Sequence, residues 1–131
     1  MTPEQIAAVR RVVVAADHHP DLAARFYRRL FGDAPGAEAL FAGDPVRQQR
    51  ALTAELRAMA DLLDDLPSLE ARAQELGARH RGYGVGASHH RASRTALVDT
   101  FAEVLGEGFG PEERAAWARA ASLISELMQA T

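Results

Sequence analysis

The 131-residue chain contains no cysteine. That excludes disulfides, zinc–thiolate sites and thioether attachment of a prosthetic group through C-x-x-C-H, and it fits a reducing compartment. A basic stripe is also missing. The 15 Lys+Arg are scattered and the formal net charge is −3, so the electrostatic footprint of a nucleic-acid binder is absent. Long apolar runs are lacking too. Val12-Val13-Val14-Ala15-Ala16 is far too short to span a bilayer, and Met1-Thr2-Pro3-Glu4-Gln5 lacks the basic start of a secretory signal. A cytoplasmic protein without membrane association is expected. There is no strand-like alternation, internal repeat, low-complexity tract or nucleophile elbow. Gly82, Gly84 and Gly86 follow a helix instead of joining a strand to one, which removes the phosphate-cradle reading.

What the chain does have is helical periodicity, with 47% hydrophobic and 25% charged residues. Thr2 as N-cap and Pro3 at the first position open a helix carrying Ile6, Val9, Val12, Val13 and Ala16 on one face. A second helix is predicted from about Pro20-Asp21, with Leu22/Phe26/Leu30 and Ala23/Tyr27/Phe31 as adjacent stripes, ending at Gly32-Asp33-Ala34-Pro35-Gly36. A short helical turn over Glu38–Phe41 precedes the break at Gly43-Asp44-Pro45. The longest helix is expected from about Val46 to Asp64, with Gln48, Leu52, Leu56, Met59 and Leu63 on one face. Pro67-Ser68 opens the next, placing Leu69, Ala73, Leu76 and His80 in line until the glycines end it. Ser88 is the predicted cap of a helix running to about Gly106. Gly110-Pro111-Glu112-Glu113 starts the last helix, where Trp117, Ala120, Ala121, Ile124, Leu127 and Met128 face inward. One all-α domain spanning 1–131 is the reading.

Three polar residues interrupt apolar stripes. His80 must either be paired or bind something, because an unpartnered buried polar group costs a few kcal/mol. A core histidine bonded to a backbone carbonyl and a metal ligand both satisfy that requirement. Tyr27 is either a core tyrosine with a backbone partner or a donor facing a ligand. Gln48 is either a solvent-facing residue near a helix start or a second neutral donor. Tyr27 and Gln48 suit dioxygen, which takes on partial negative charge when iron binds it. The adjacent pairs His18-His19 and His89-His90 point about 100° apart on a helix, and no second His or carboxylate at i+3 or i+4 makes a convincing ligand set with them, so a zinc or di-iron site is not expected.

Phe26-Tyr27-Arg28-Arg29-Leu30-Phe31, Leu40-Phe41, Gln48 with Leu52, Leu66-Pro67 followed by Gly77-Ala78-Arg79-His80, Val85 and Ala116-Trp117 together carry a family resemblance. The chain resembles, end to end, the globin domain of bacterial flavohaemoglobins and the single-domain bacterial haemoglobins. That resemblance implies a globin fold, a three-on-three helical sandwich around one haem b. It makes His80 the iron ligand, Tyr27 the distal donor and Gln48 the second distal polar residue, with Gln49 as the alternative. Phe41 corresponds to the phenylalanine packed flat on the haem, Leu52 to the apolar residue over the iron, and Val85 to a proximal wall residue. Arg79 corresponds to a residue near a haem propionate.

Departures from the family pattern narrow the functions that the resemblance implies. The 131 residues leave no room for the flavin and nicotinamide domains of flavohaemoglobins. In those proteins a tyrosine and a glutamate support the ligand histidine. His90 stands at the tyrosine position beside the cofactor, the chain stops about where the glutamate falls, and Glu126 lies about two turns too early. Ala121 replaces another tyrosine. The resemblance implies a protein that binds dioxygen, nitric oxide and carbon monoxide, as a monomer or homodimer. The alternative is a nitric oxide dioxygenase served by an external reductase. A third reading, a haem-free helical interaction module, is disfavoured by the set His80, Tyr27, Phe41 and Leu52.

Overall fold

The computed structural model describes residues 1–41 and 43–130. Six α-helices carry the fold: α1 (Pro3–Ala16), α2 (Leu22–Asp33), α3 (Pro45–Asp61), α4 (Leu66–Gly82), α5 (Ala87–Leu105) and α6 (Pro111–Gln129). Short 3₁₀ turns lie at Pro35–Leu40 and Gly106–Gly108, and no strand occurs among the described residues. The all-α expectation holds. So does the start of α1, where Thr2 and Gln5 cap each other reciprocally across the first turn.

Helix α1 packs on α3 and α6, α2 on α5 and α3, α4 on α6, and α5 on α6. The layers are therefore α1, α3 and α4 against α2, α5 and α6. Between them lies one core that includes Val9, Val12, Phe26, Leu69, Phe101 and Trp117. Trp117 and Phe101 are both essentially inaccessible, with ring centroids 4.9 Å apart. Each such side chain contributes roughly 2–3 kcal/mol of burial.

Two helix boundaries differ from expectation, each for a local reason. α3 stops at Asp61, three residues early, so at 17 residues it is not the longest helix as expected; α5 and α6 have 19 each. The Arg10 guanidinium, reaching over from α1, donates to the Ala60 carbonyl (3.1 Å), the Asp61 carbonyl (3.2 Å) and the Asp64 carboxylate (3.1 Å). It thereby satisfies carbonyls that a continuing helix would have used. Leu63 still enters the core from the turn. At α5, Gly86 rather than Ser88 occupies the cap position, and the His89 ring Nδ1 accepts the Gly86 N–H at 2.9 Å. Ser88 lies inside the first turn.

One glycine sets the distance between two helices. A Cβ at Gly77 would overlap the Met128 backbone carbonyl, so α4 and α6 meet here backbone to backbone. That contact fixes the height at which the end of α4 faces the interior.

Candidate functional site

Leu69 and Ala73 are fully buried and lock the inner face of α4. One and two turns further on, Leu76 and His80 emerge from that packing onto the wall of a cavity. The His80 Nδ1 lies 2.8 Å from the Leu76 carbonyl oxygen. A carbonyl only accepts, so Nδ1 carries a proton, and in the neutral imidazole Nε2 is the nitrogen with the lone pair. Behind the ring, the His80 carbonyl accepts the N–H groups of Tyr83 and Val85, both at 3.0 Å. Gly84, at φ +93°, makes that reversal of the chain feasible.

On the opposite wall, α2 presents Tyr27 among aromatic neighbours. Its ring centroid lies 5.1 Å from that of Phe26, 5.8 Å from Phe31 and 5.5 Å from Phe41. Burial pushes the Tyr27 phenol above its ordinary pKa, so it stays a neutral donor. Its hydroxyl has one distant protein partner, the Gln48 backbone carbonyl at 3.5 Å. Gln48 thus approaches Tyr27 through its main chain. Its side chain lies toward Gly43 and does not line the cavity. Gln49 lines a separate surface groove with Asp17 and Ala23. Phe41, Leu52 and Val85 line the cavity alongside His80 and Tyr27. Arg79 is exposed and outside the lining.

The cavity holds about 1030 Å³ of empty space, part of it open to solvent, and its walls are mainly apolar. Its polar groups are few and placed. Glu55 is paired with Arg72 across α3 and α4 at 2.7 Å. His90 is buried, with its ring centroid 6.4 Å from that of His80. Desolvation, with help from the Arg94 charge, holds the His90 pKa below its ordinary value. Arg94 donates to the Ser125 hydroxyl at 2.7 Å, and Gln129 donates to the same oxygen at 3.0 Å. Ala121, one turn before Ser125, lines the same wall, whereas Glu126 is exposed.

Arg94 and Ser125 were not foreseen from the sequence. The available signal was the i, i+4 spacing of His90 and Arg94, which puts both on one face of α5. Trp117 also lines the cavity, and its buried indole N–H has no acceptor among the described residues. Buried donors are ordinarily satisfied. A large, mainly apolar group with a metal centre suits this space, with one imidazole on one side and one neutral phenol on the other; no cluster of three or more His, Asp or Glu that could hold a bare metal ion occurs among the described residues.

The family model described as Globin matches residues 24–128. The flavohemoprotein of Bordetella pertussis is 31% identical over 98% of this chain, and the chain spans 33% of that relative's length. An anaerobic nitrite reductase from Oryza sativa subsp. indica is 31% identical over 76% of this chain and 72% of its own. Among solved structures, an engineered carbene transferase from Rhodothermus marinus, also designated a nitric oxide dioxygenase, superposes with a TM-score of 0.85. It is 29% identical, and the match covers 98% of this chain and 90% of that one. A bacterial globin from Campylobacter jejuni, 22% identical, gives a TM-score of 0.84 over 95% of this chain and 91% of that one, and so supports the fold alone. The three-on-three sandwich, the single histidine at the end of α4 and the family match over most of the chain agree: the chain belongs to the globin family.

Proposed function

We propose that this chain binds one haem b and reversibly takes up dioxygen and other diatomic gases, with His80 as the iron ligand. The observation that carries the reading is the His80 geometry: Nδ1 committed to the Leu76 carbonyl, which leaves Nε2 as the atom free to ligate, and the ring set in the wall of a mainly apolar cavity. Attachment is non-covalent, because the chain has no cysteine to form a thioether. When bound, the haem would supply an iron that takes up a small gaseous ligand, and His80 would hold it. The protein's residues do the rest. Leu76 fixes the tautomer and ring plane of His80. Leu52, Phe41 and Val85 give the cavity an apolar wall that competes poorly for water. Tyr27 holds its proton and offers it toward the distal side, since its one partner among the described residues is weakly placed.

Haemin titration tests this directly. One equivalent should bind and give an intense Soret band. His80→Ala should lose that affinity and the ferrous spectrum of the parent. A His80→Ala protein with unchanged affinity and spectrum would overturn the ligand assignment.

A second reading is nitric oxide dioxygenation to nitrate with an external reductase. It rests on the names of the relatives, the flavohemoproteins and the Rhodothermus marinus protein. Sustained nitrate formation with a supplied reductase would establish turnover. A single stoichiometric burst would leave gas binding as the activity.

A further inference from the structure

The charged groups on the cavity wall do not balance. Among the described residues Glu55 is the one carboxylate in the lining, and Arg72 neutralises it at 2.7–2.8 Å. Arg94 also lines the cavity, yet among the described residues it forms no ion pair with any carboxylate. Its partner is the neutral Ser125 hydroxyl at 2.7 Å, on a side chain that is 4% exposed. Gln129 donates to the same oxygen from the next turn of α6, so Ser125 is held from two sides. The guanidinium is therefore a full positive charge, fixed in position by α5 and α6 and facing a space of low polarity. It lies on the same face of α5 as His90, one turn away, and the His90 ring stacks toward His80.

We propose that Arg94, anchored on Ser125, is a positioning residue that sets the electrostatic potential at the His80 side of the cavity and favours the reduced state of the iron held there. This rests on the haem-binding reading above. Ferric haem carries one more positive charge than ferrous haem. A fixed cation nearby disfavours the ferric form by Coulomb repulsion, and the effect is large only where screening by water is weak. Arg94 meets both conditions: among the described residues it pairs with no carboxylate, and it is half-buried against a buried hydrogen-bond partner. Arg79 and Arg81 flank His80 in sequence but are exposed and outside the lining, so solvent screens them.

The test is a mediated redox titration, in which ferric iron takes one electron from the electrode to become ferrous. It is run on the haem-loaded parent, Arg94→Gln and Arg94→Lys. Gln keeps a donor for Ser125 and removes the charge, whereas Lys keeps the charge. Arg94→Gln should shift the equilibrium about tenfold toward ferric, a fall of about 59 mV for one electron. Arg94→Lys should stay within about threefold of the parent. Helix content by circular dichroism and haemin stoichiometry should be the same in all three. A potential unchanged in Arg94→Gln, or equally lowered in both variants, would overturn the role of the charge. A parent chain that takes up no haemin would overturn the haem reading itself, and this inference with it.

Discussion

At the scale of single residues, the two walls of the cavity differ in how tightly the protein engages their polar atoms. The His80 Nδ1 proton is committed at 2.8 Å, while the Tyr27 hydroxyl has only a 3.5 Å contact to Gln48. A donor so weakly engaged transfers to a ligand with little loss. Tyr27→Phe should therefore release dioxygen about tenfold faster, the effect of losing roughly 1.4 kcal/mol. Stopped-flow displacement by carbon monoxide measures it, and an unchanged off-rate would assign ligand retention to another group. His80 and Tyr27 were legible as candidates because each interrupts an apolar stripe at helical spacing. Arg94 was not, because an arginine four residues after a histidine on a mostly polar stretch reads as a solvated face. Only its partner Ser125, 31 positions away on α6, brings it to the cavity wall. Gln48 shows the converse. Its position in the stripe was readable, but which of its polar groups meets Tyr27 depends on the turn of chain before α3.

At the scale of elements, the height of His80 depends on α4 seating directly against α6 at Gly77. Gly77→Ala places a methyl group against the Met128 carbonyl, a rigid backbone atom that cannot rotate away. The cost should be about 3 kcal/mol or more, seen as a melting point lower by about 10 °C. Haemin affinity should fall with it, because α4 carries His80, the proposed iron ligand; a variant as stable as the parent would mean the helices separate freely. Most helix starts were readable from local chemistry, as at Thr2-Pro3, where capping and proline act within one turn. The end of α3 was not readable, because Arg10 decides it from 50 residues away. The start of α5 was misplaced for a different reason: serine is the commoner cap, but here a histidine ring supplies the acceptor for the Gly86 N–H.

At the scale of the whole molecule, the interior has one buried imidazole whose protonation opposes folding. Burial and neighbouring cations hold the His90 pKa below its ordinary value. The unfolded chain therefore takes up this proton first as pH falls. The stability contributed by neutral His90 is complete above the ordinary histidine range. It is lost progressively as pH drops through that range toward the lowered folded value. The melting point should decline from pH 7 to pH 5, and His90→Phe should flatten that decline; an equally steep fall in both proteins would assign the acid sensitivity elsewhere. The turn after His80 has a further consequence at this scale. With the ring held by Leu76 and the carbonyl by Tyr83 and Val85, the imidazole is already set in one orientation before anything enters the cavity. Little rotamer freedom remains to be lost on association, so the chain should capture its prosthetic group quickly, without waiting for a loop to fold around it.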